Sequence, residues 1–186
     1  MFSDSEKDIV LKSWRLVVPI AETAADLFYR RLFELRPEYR PLFGDDMVAQ
    51  KRKLVRMLAF IVKSLEWRDE QWRDDVDATE DLMLVVLALG RRHKDLYKIP
   101  LESYAIVGEA LIWTLEHGLG DAFTPATREV WLKLYTLLAS TMQMGSVAIF
   151  PTEIGPTEAI ADAALMRQQA AAGIDDARLG FTEEAP

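Results

Sequence analysis

Leu89-Gly90-Arg91-Arg92-His93-Lys94 carries one of the chain's two histidines at the end of an apolar helical face. Leu82, Val85, Val86, Leu89 and His93 recur at helical spacing, so a helix through them turns all five side chains one way and the imidazole points inward. A buried imidazole needs partners for both ring nitrogens. From this helix alone two readings stay open: a core histidine satisfied by a carbonyl, or a metal ligand bonding through one nitrogen.

Working outward, 186 residues of which 50% are hydrophobic can bury one sizeable core, most simply one domain with appendages. The chain has no cysteine, which excludes disulfides, thiolate metal sites, cysteine nucleophiles and covalent cofactor attachment through Cys-x-x-Cys-His. No basic flank leads into an apolar run at Met1-Phe2-Ser3-Asp4, and no segment reaches the roughly 18 apolar residues of a membrane span. The expectation is a cytoplasmic protein without a membrane partner. A net charge of −8 argues against nucleic-acid binding, but it is unevenly spread. Residues 152–186 contribute −5 and residues 1–150 only −3. Between Met47 and Leu65 lie Lys51, Arg52, Lys53, Arg56 and Lys63 with no acid, and Arg91, Arg92 and Lys94 surround His93.

Every periodic stretch before Pro151 reads as helix. Ser3-x-x-Glu6 is a capping-box pattern before Ile9, Val10, Trp14 and Val17. A second helix runs from about Pro19 to Leu35, with Ala21, Ala24, Ala25, Phe28, Tyr29 and Leu32 inward, and stops at Arg36-Pro37. Pro37 to Phe43 reads as a helical corner closed by Gly44. A third long helix begins near Met47 and puts Gln50, Leu54, Met57, Leu58 and Ile61 on one face. The eight acids between Glu66 and Asp81, with Trp67 and Trp72, suggest a solvated connection containing a helical turn or two. The His93 helix ends before Pro100. Leu101 to Leu119 carries Tyr104, Val107 and Leu111 on one face, with Gly118 and Gly120 at its end. Thr124-Pro125 opens a last helix to about Ala148, with Val130, Leu134, Leu137, Leu138 and Thr141 at core spacing. Beyond it, Thr157 to Ala171 suits an alanine-rich helix, and the remainder has a disordered composition.

Tyr29, Gln50 and His93 are each the polar member of an otherwise apolar face. Phe28-Tyr29, Pro37, Phe43, Gln50 four before Leu54, Leu89 four before His93, and Tyr104-Ala105-Ile106-Val107-Gly108-Glu109-Ala110-Leu111, in this order, resemble the globin family. The resemblance is to bacterial single-domain globins and the haem domain of flavohaemoglobins, and spans about Asp4 to Met144. It implies an all-α, three-over-three helical sandwich over residues 1–150, with 151–186 as a C-terminal extension. It further implies haem b, with His93 as the iron ligand and Leu89 beneath the porphyrin. Phe43 would stack on the haem, Val107 would line the pocket, and Tyr104 would contact the proximal histidine. Tyr29, Gln50 and Leu54 would line the distal side. Lys53 and Arg92, with Arg91 or Lys94, could pair with the haem carboxylates, although exposed pairs of this kind are individually weak.

The residue types suit that chemistry. Dioxygen gains partial negative charge at ferrous haem, so a phenol and an amide aimed at it from a water-poor pocket stabilise the bound state. Two hydrogen bonds of about 1 kcal/mol each would slow ligand loss about thirty-fold. One departure bears on mechanism: the glutamate that polarises the proximal histidine in flavohaemoglobins falls at Ser146, and no acid occurs from Val130 to Thr152. The chain also has one extra residue between His93 and Tyr104 relative to that pattern, and only a short segment where flavin and nicotinamide domains would follow. The leading expectation is therefore reversible binding of dioxygen or another diatomic gas, nitric oxide or carbon monoxide, by a monomer or homodimer. Nitric oxide dioxygenation with a separate reductase is the enzymatic alternative. A sensor or interaction module signalling through residues 151–186 is the third.

Overall fold

The computed structural model describes residues 2–65, 76–95 and 98–147. Among them are α1 (Asp4–Val17), α2 (Ala21–Leu35), α3 (Met47–Ser64), α4 (Val76–Asp95), α5 (Ser103–Leu119) and α6 (Pro125–Val147), and no strand. The extension from 151 onward, including the expected helix Thr157 to Ala171, lies outside the described residues. So do Trp67 and Trp72.

Local chemistry sets the helix ends. The capping box forms as the sequence suggested: the Glu6 amide donates to Ser3 Oγ at 3.2 Å and the Ser3 amide donates to Glu6 Oε2 at 2.7 Å. Asp46 caps α3 by accepting from the Ala49 amide at 2.9 Å, and Thr124 caps α6 by accepting from the Thr127 amide at 3.2 Å. Gly120, with φ +53°, takes the left-handed conformation that ends α5. Two boundaries differ from expectation. Pro19 sits in a tight 3-10 turn, Val18–Ile20, so α2 proper starts at Ala21. α4 starts at Val76, so the last part of the acidic stretch up to Asp81 is helical and continuous with the His93 helix.

The core gathers Val10, Leu32, Phe60, Val62 and Trp131, each fully buried. Trp131 needs a partner for its indole N–H and donates to Ser13 Oγ at 2.9 Å, while the Ser13 hydroxyl in turn faces the carbonyls of Ile9 and Val10. α1, α3 and α4 form one layer over α2, α5 and α6, with α2 against α5, α1 and α4 against α6, and α2 against α3. α3 and α4 have little direct contact among the described residues. This is the three-over-three architecture.

Candidate haem-binding site

On the α2 and α3 side, helical spacing buries Tyr29 to 5% exposure within a nest of aromatic rings. Phe28 on its own helix and Phe43 beyond the 3-10 corner Pro37–Leu42 meet its ring edge-on, at 5.0 and 5.4 Å between centroids, and Phe33 lies at 5.9 Å. Such contacts hold the ring in one orientation. Its hydroxyl donates to the main-chain oxygen of Gln50 at 3.5 Å, a long bond. Desolvation pushes the Tyr29 pKa up to about 12, and the Gln50 side chain acts in the opposite direction, so the phenol stays a donor across the neutral range. Gln50 and Leu54, on the first turns of α3, are half-buried. Phe43, Leu54 and Val107 are apolar yet only partly covered at the rim of the core.

On the α4 side, His93 stands in the last turn, half-buried. Desolvation, and secondarily the charge of Arg92, lower its pKa, which favours the neutral imidazole that a metal requires. Leu89, one turn earlier, is half-buried. Tyr104, in the first turn of α5, places its ring 6.3 Å from the imidazole at 41°. Its hydroxyl is buried without a hydrogen-bond partner among the described residues, and desolvation raises its pKa. An orphaned buried hydroxyl is costly and points to a group that completes the site. Tyr135, whose hydroxyl donates to the Tyr104 carbonyl, backs this corner.

The four candidate partners for haem carboxylates separate. Arg91 pairs with Asp95 at 3.3 Å, and the Lys94 ammonium donates to the Ser146 carbonyl at 2.9 Å. Lys53 remains exposed and Arg92 half-buried. His117 is exposed at the end of α5, stacked on Trp113 at 3.7 Å with Nδ1 at 2.9 Å from the Trp113 carbonyl. It takes no part in the site. Among the described residues no three His, Asp or Glu side chains gather around a metal position.

The globin family model matches residues 26–142, more than half of the chain and the stretch that holds Tyr29, Gln50, His93 and Tyr104. The chain belongs to the globin family. It is 27% identical over 157 residues to neuroglobin of Chaenocephalus aceratus and 28% identical over 157 residues to neuroglobin of Danio rerio, with 77% of this chain and 91% of each relative covered. Globins bind haem, and through it small gases such as dioxygen. For this globin, half-covered Phe43, Leu54, Val107 and Leu89, an imidazole whose charged form is disfavoured and a buried Tyr104 hydroxyl without a partner among the described residues are a donor set and lining that fit that group.

Sequence reading missed Phe33, which follows Tyr29 at i+4 and completes the aromatic nest, and the bond from Lys94 to Ser146. The first had a signal in the spacing. The second joins residues far apart in the chain and had none.

Proposed function

We propose that this globin reversibly binds a diatomic gas, dioxygen foremost, at a haem b held by His93, with Tyr29 as the principal distal donor and Gln50 as the second. Haem, when bound, would supply an iron able to bind such a gas. The observation that carries the proposal is a half-buried imidazole on α4 whose charged form desolvation disfavours, beside Tyr104 of α5 with its unpartnered buried hydroxyl, in a chain that also buries on α2 a phenol protonated to about pH 12. Leu89, Phe43, Leu54 and Val107 would line the apolar slot and exclude water. Lys53 and Arg92 would meet the carboxylates at its mouth, and Tyr104 would support His93.

The same reading takes residues 1–150 as the haem-binding domain and 151–186 as an appended segment, in keeping with a family match that ends at 142. The Tyr29 and Gln50 pair supports a narrower kinship with bacterial single-domain globins. The pair suits nitric oxide dioxygenation with a separate reductase as well. Against that second reading stands Ser146, whose carbonyl receives an ammonium where that chemistry favours a carboxylate near the proximal histidine. Absorption spectra of the purified protein, oxidised, reduced and with carbon monoxide, test the first reading, and absence of a haem spectrum after reconstitution overturns it. Rapid mixing of the dioxygen-loaded protein with nitric oxide, followed by turnover with a reductase, distinguishes the second.

A further inference from the structure

A glycine inside a helix costs about 1 kcal/mol relative to alanine, so one in the middle of α4 and another near the end of α6 call for a reason. Both are buried, and each meets the opposite helix. A Cβ on Gly90 would fall on the carbonyl of Met142, and a Cβ on Gly145 on the carbonyl of Leu87. The obstructing atoms are backbone in both cases, so no rotamer change relieves them. The two helices must separate for any larger residue to enter. A third contact reinforces the seam: Lys94, the residue after His93, donates to the Ser146 carbonyl in the last turn of α6, where a cation suits the negative helix end. Gly90 lies one turn before His93. The imidazole is thus bracketed by two points at which α4 is held to α6.

We propose that Gly90 and Gly145 are positioning residues for His93: the backbone-to-backbone seam they permit sets how closely the imidazole approaches the haem iron. This rests on the reading of His93 as the iron ligand. α6 is the neighbour with which α4 makes its extensive contact, and α3, in the same layer, has little contact with α4 among the described residues. Bulk added at the seam therefore moves α4 away from α6, into the space that the haem would occupy, and shortens the reach from imidazole to iron.

The test uses the full chain reconstituted with haem and reads the iron–imidazole stretching band of the reduced, unliganded protein by resonance Raman, together with the carbon monoxide association rate. Gly90→Ala and Gly145→Ala are each expected to raise the band frequency and to speed association several-fold, and Gly90→Val to do so more than Gly90→Ala. Val10→Ala, which opens a cavity in α1 far along the chain, controls for lost stability and should leave both readouts in place. An unchanged band in both alanine variants overturns the proposal. So does global unfolding of both, because the seam would then hold the whole fold rather than the imidazole. His93→Ala belongs in the same series: a surviving iron–imidazole band there would locate the error in the ligand assignment, whereas its loss with unchanged glycine variants would locate it in the seam.

Discussion

Tyr29 sits on α2 among three aromatic rings at 5% exposure, whereas His93 sits half-buried near the end of a helix whose extensive partner is α6. The first is held by side-chain packing from several directions and is continuous with the core. The second stands on a helix whose approach to α6 is set by close backbone contact at Gly90 and Gly145. A packed side chain transmits its orientation through many small dispersion contacts and tolerates the loss of any one. A backbone seam has no such redundancy, so a single methyl group can shift everything the helix carries. The two walls should therefore fail differently, the α2 wall by graded loss of a hydrogen bond and the α4 wall by displacement or loss of the ligand.

The most severe break comes from removing the ligand itself. His93→Ala is expected to purify without haem or with altered iron coordination, while His117→Ala, exposed and stacked on Trp113, keeps a normal spectrum. A haem-deficient His117→Ala would reverse the assignment of the two walls. Next is the donor side: Tyr29→Phe should raise the dioxygen dissociation rate about tenfold, equal to roughly 1.4 kcal/mol, and more than Gln50→Leu does. The phenol is fixed by its aromatic neighbours, whereas the longer amide chain stands half-buried and loses more freedom on ordering. Stopped-flow measurement on both variants decides this, and a rate for Tyr29→Phe equal to the unmodified protein would mean that the hydroxyl serves only the core.

A third variant asks whether the deep core is independent of both walls. Ser13→Ala leaves the buried Trp131 indole N–H without its acceptor and should cost about 1–3 kcal/mol in a denaturant titration, with gas dissociation unchanged. A changed dissociation rate would show that the walls are coupled through α6. The smallest effect concerns acid stability. Lys133, and then the Ser3 amide, lower the Glu6 pKa from 4.5 to about 2. A depressed carboxylate contributes stability above its unfolded value, and that contribution is lost as pH falls through the window from 4.5 to about 2. Because Glu6 is solvent-screened, Glu6→Gln should only slightly flatten the acid limb of a melting-temperature profile, and an unchanged limb would assign acid sensitivity elsewhere.

Much of this arrangement is legible in one sequence because it is local. Caps at Ser3 and Thr124, the stop at Arg36-Pro37 and the apolar periodicities define most of the helix boundaries, whereas the Asp46 cap of α3 emerged from the structure. Tyr29, Gln50 and His93 announce themselves as polar members of apolar faces. What stayed hidden is pairwise and long-range. Gly90 in a helix signals that something approaches closely, but not that the approaching atom is the Met142 carbonyl, and Lys94 reads as a surface cation until α6 is placed beside it. The start of α4 was hard to fix for a different reason: the acidic stretch allows a helical turn or two but does not show that they join the His93 helix, as they do from Val76.

The Tyr29 hydroxyl donates to the main-chain oxygen of Gln50, while the Gln50 side chain also acts on the phenol and opposes the rise in its pKa. One residue of α3 thus meets the phenol twice, through an oxygen that every amino acid supplies and through an amide that this one brings. Under the proposed function, substitution at position 50 would keep the first contact and remove the second, so the two donors would be partly coupled under mutation: a change at Gln50 would also alter how firmly the phenol is aimed.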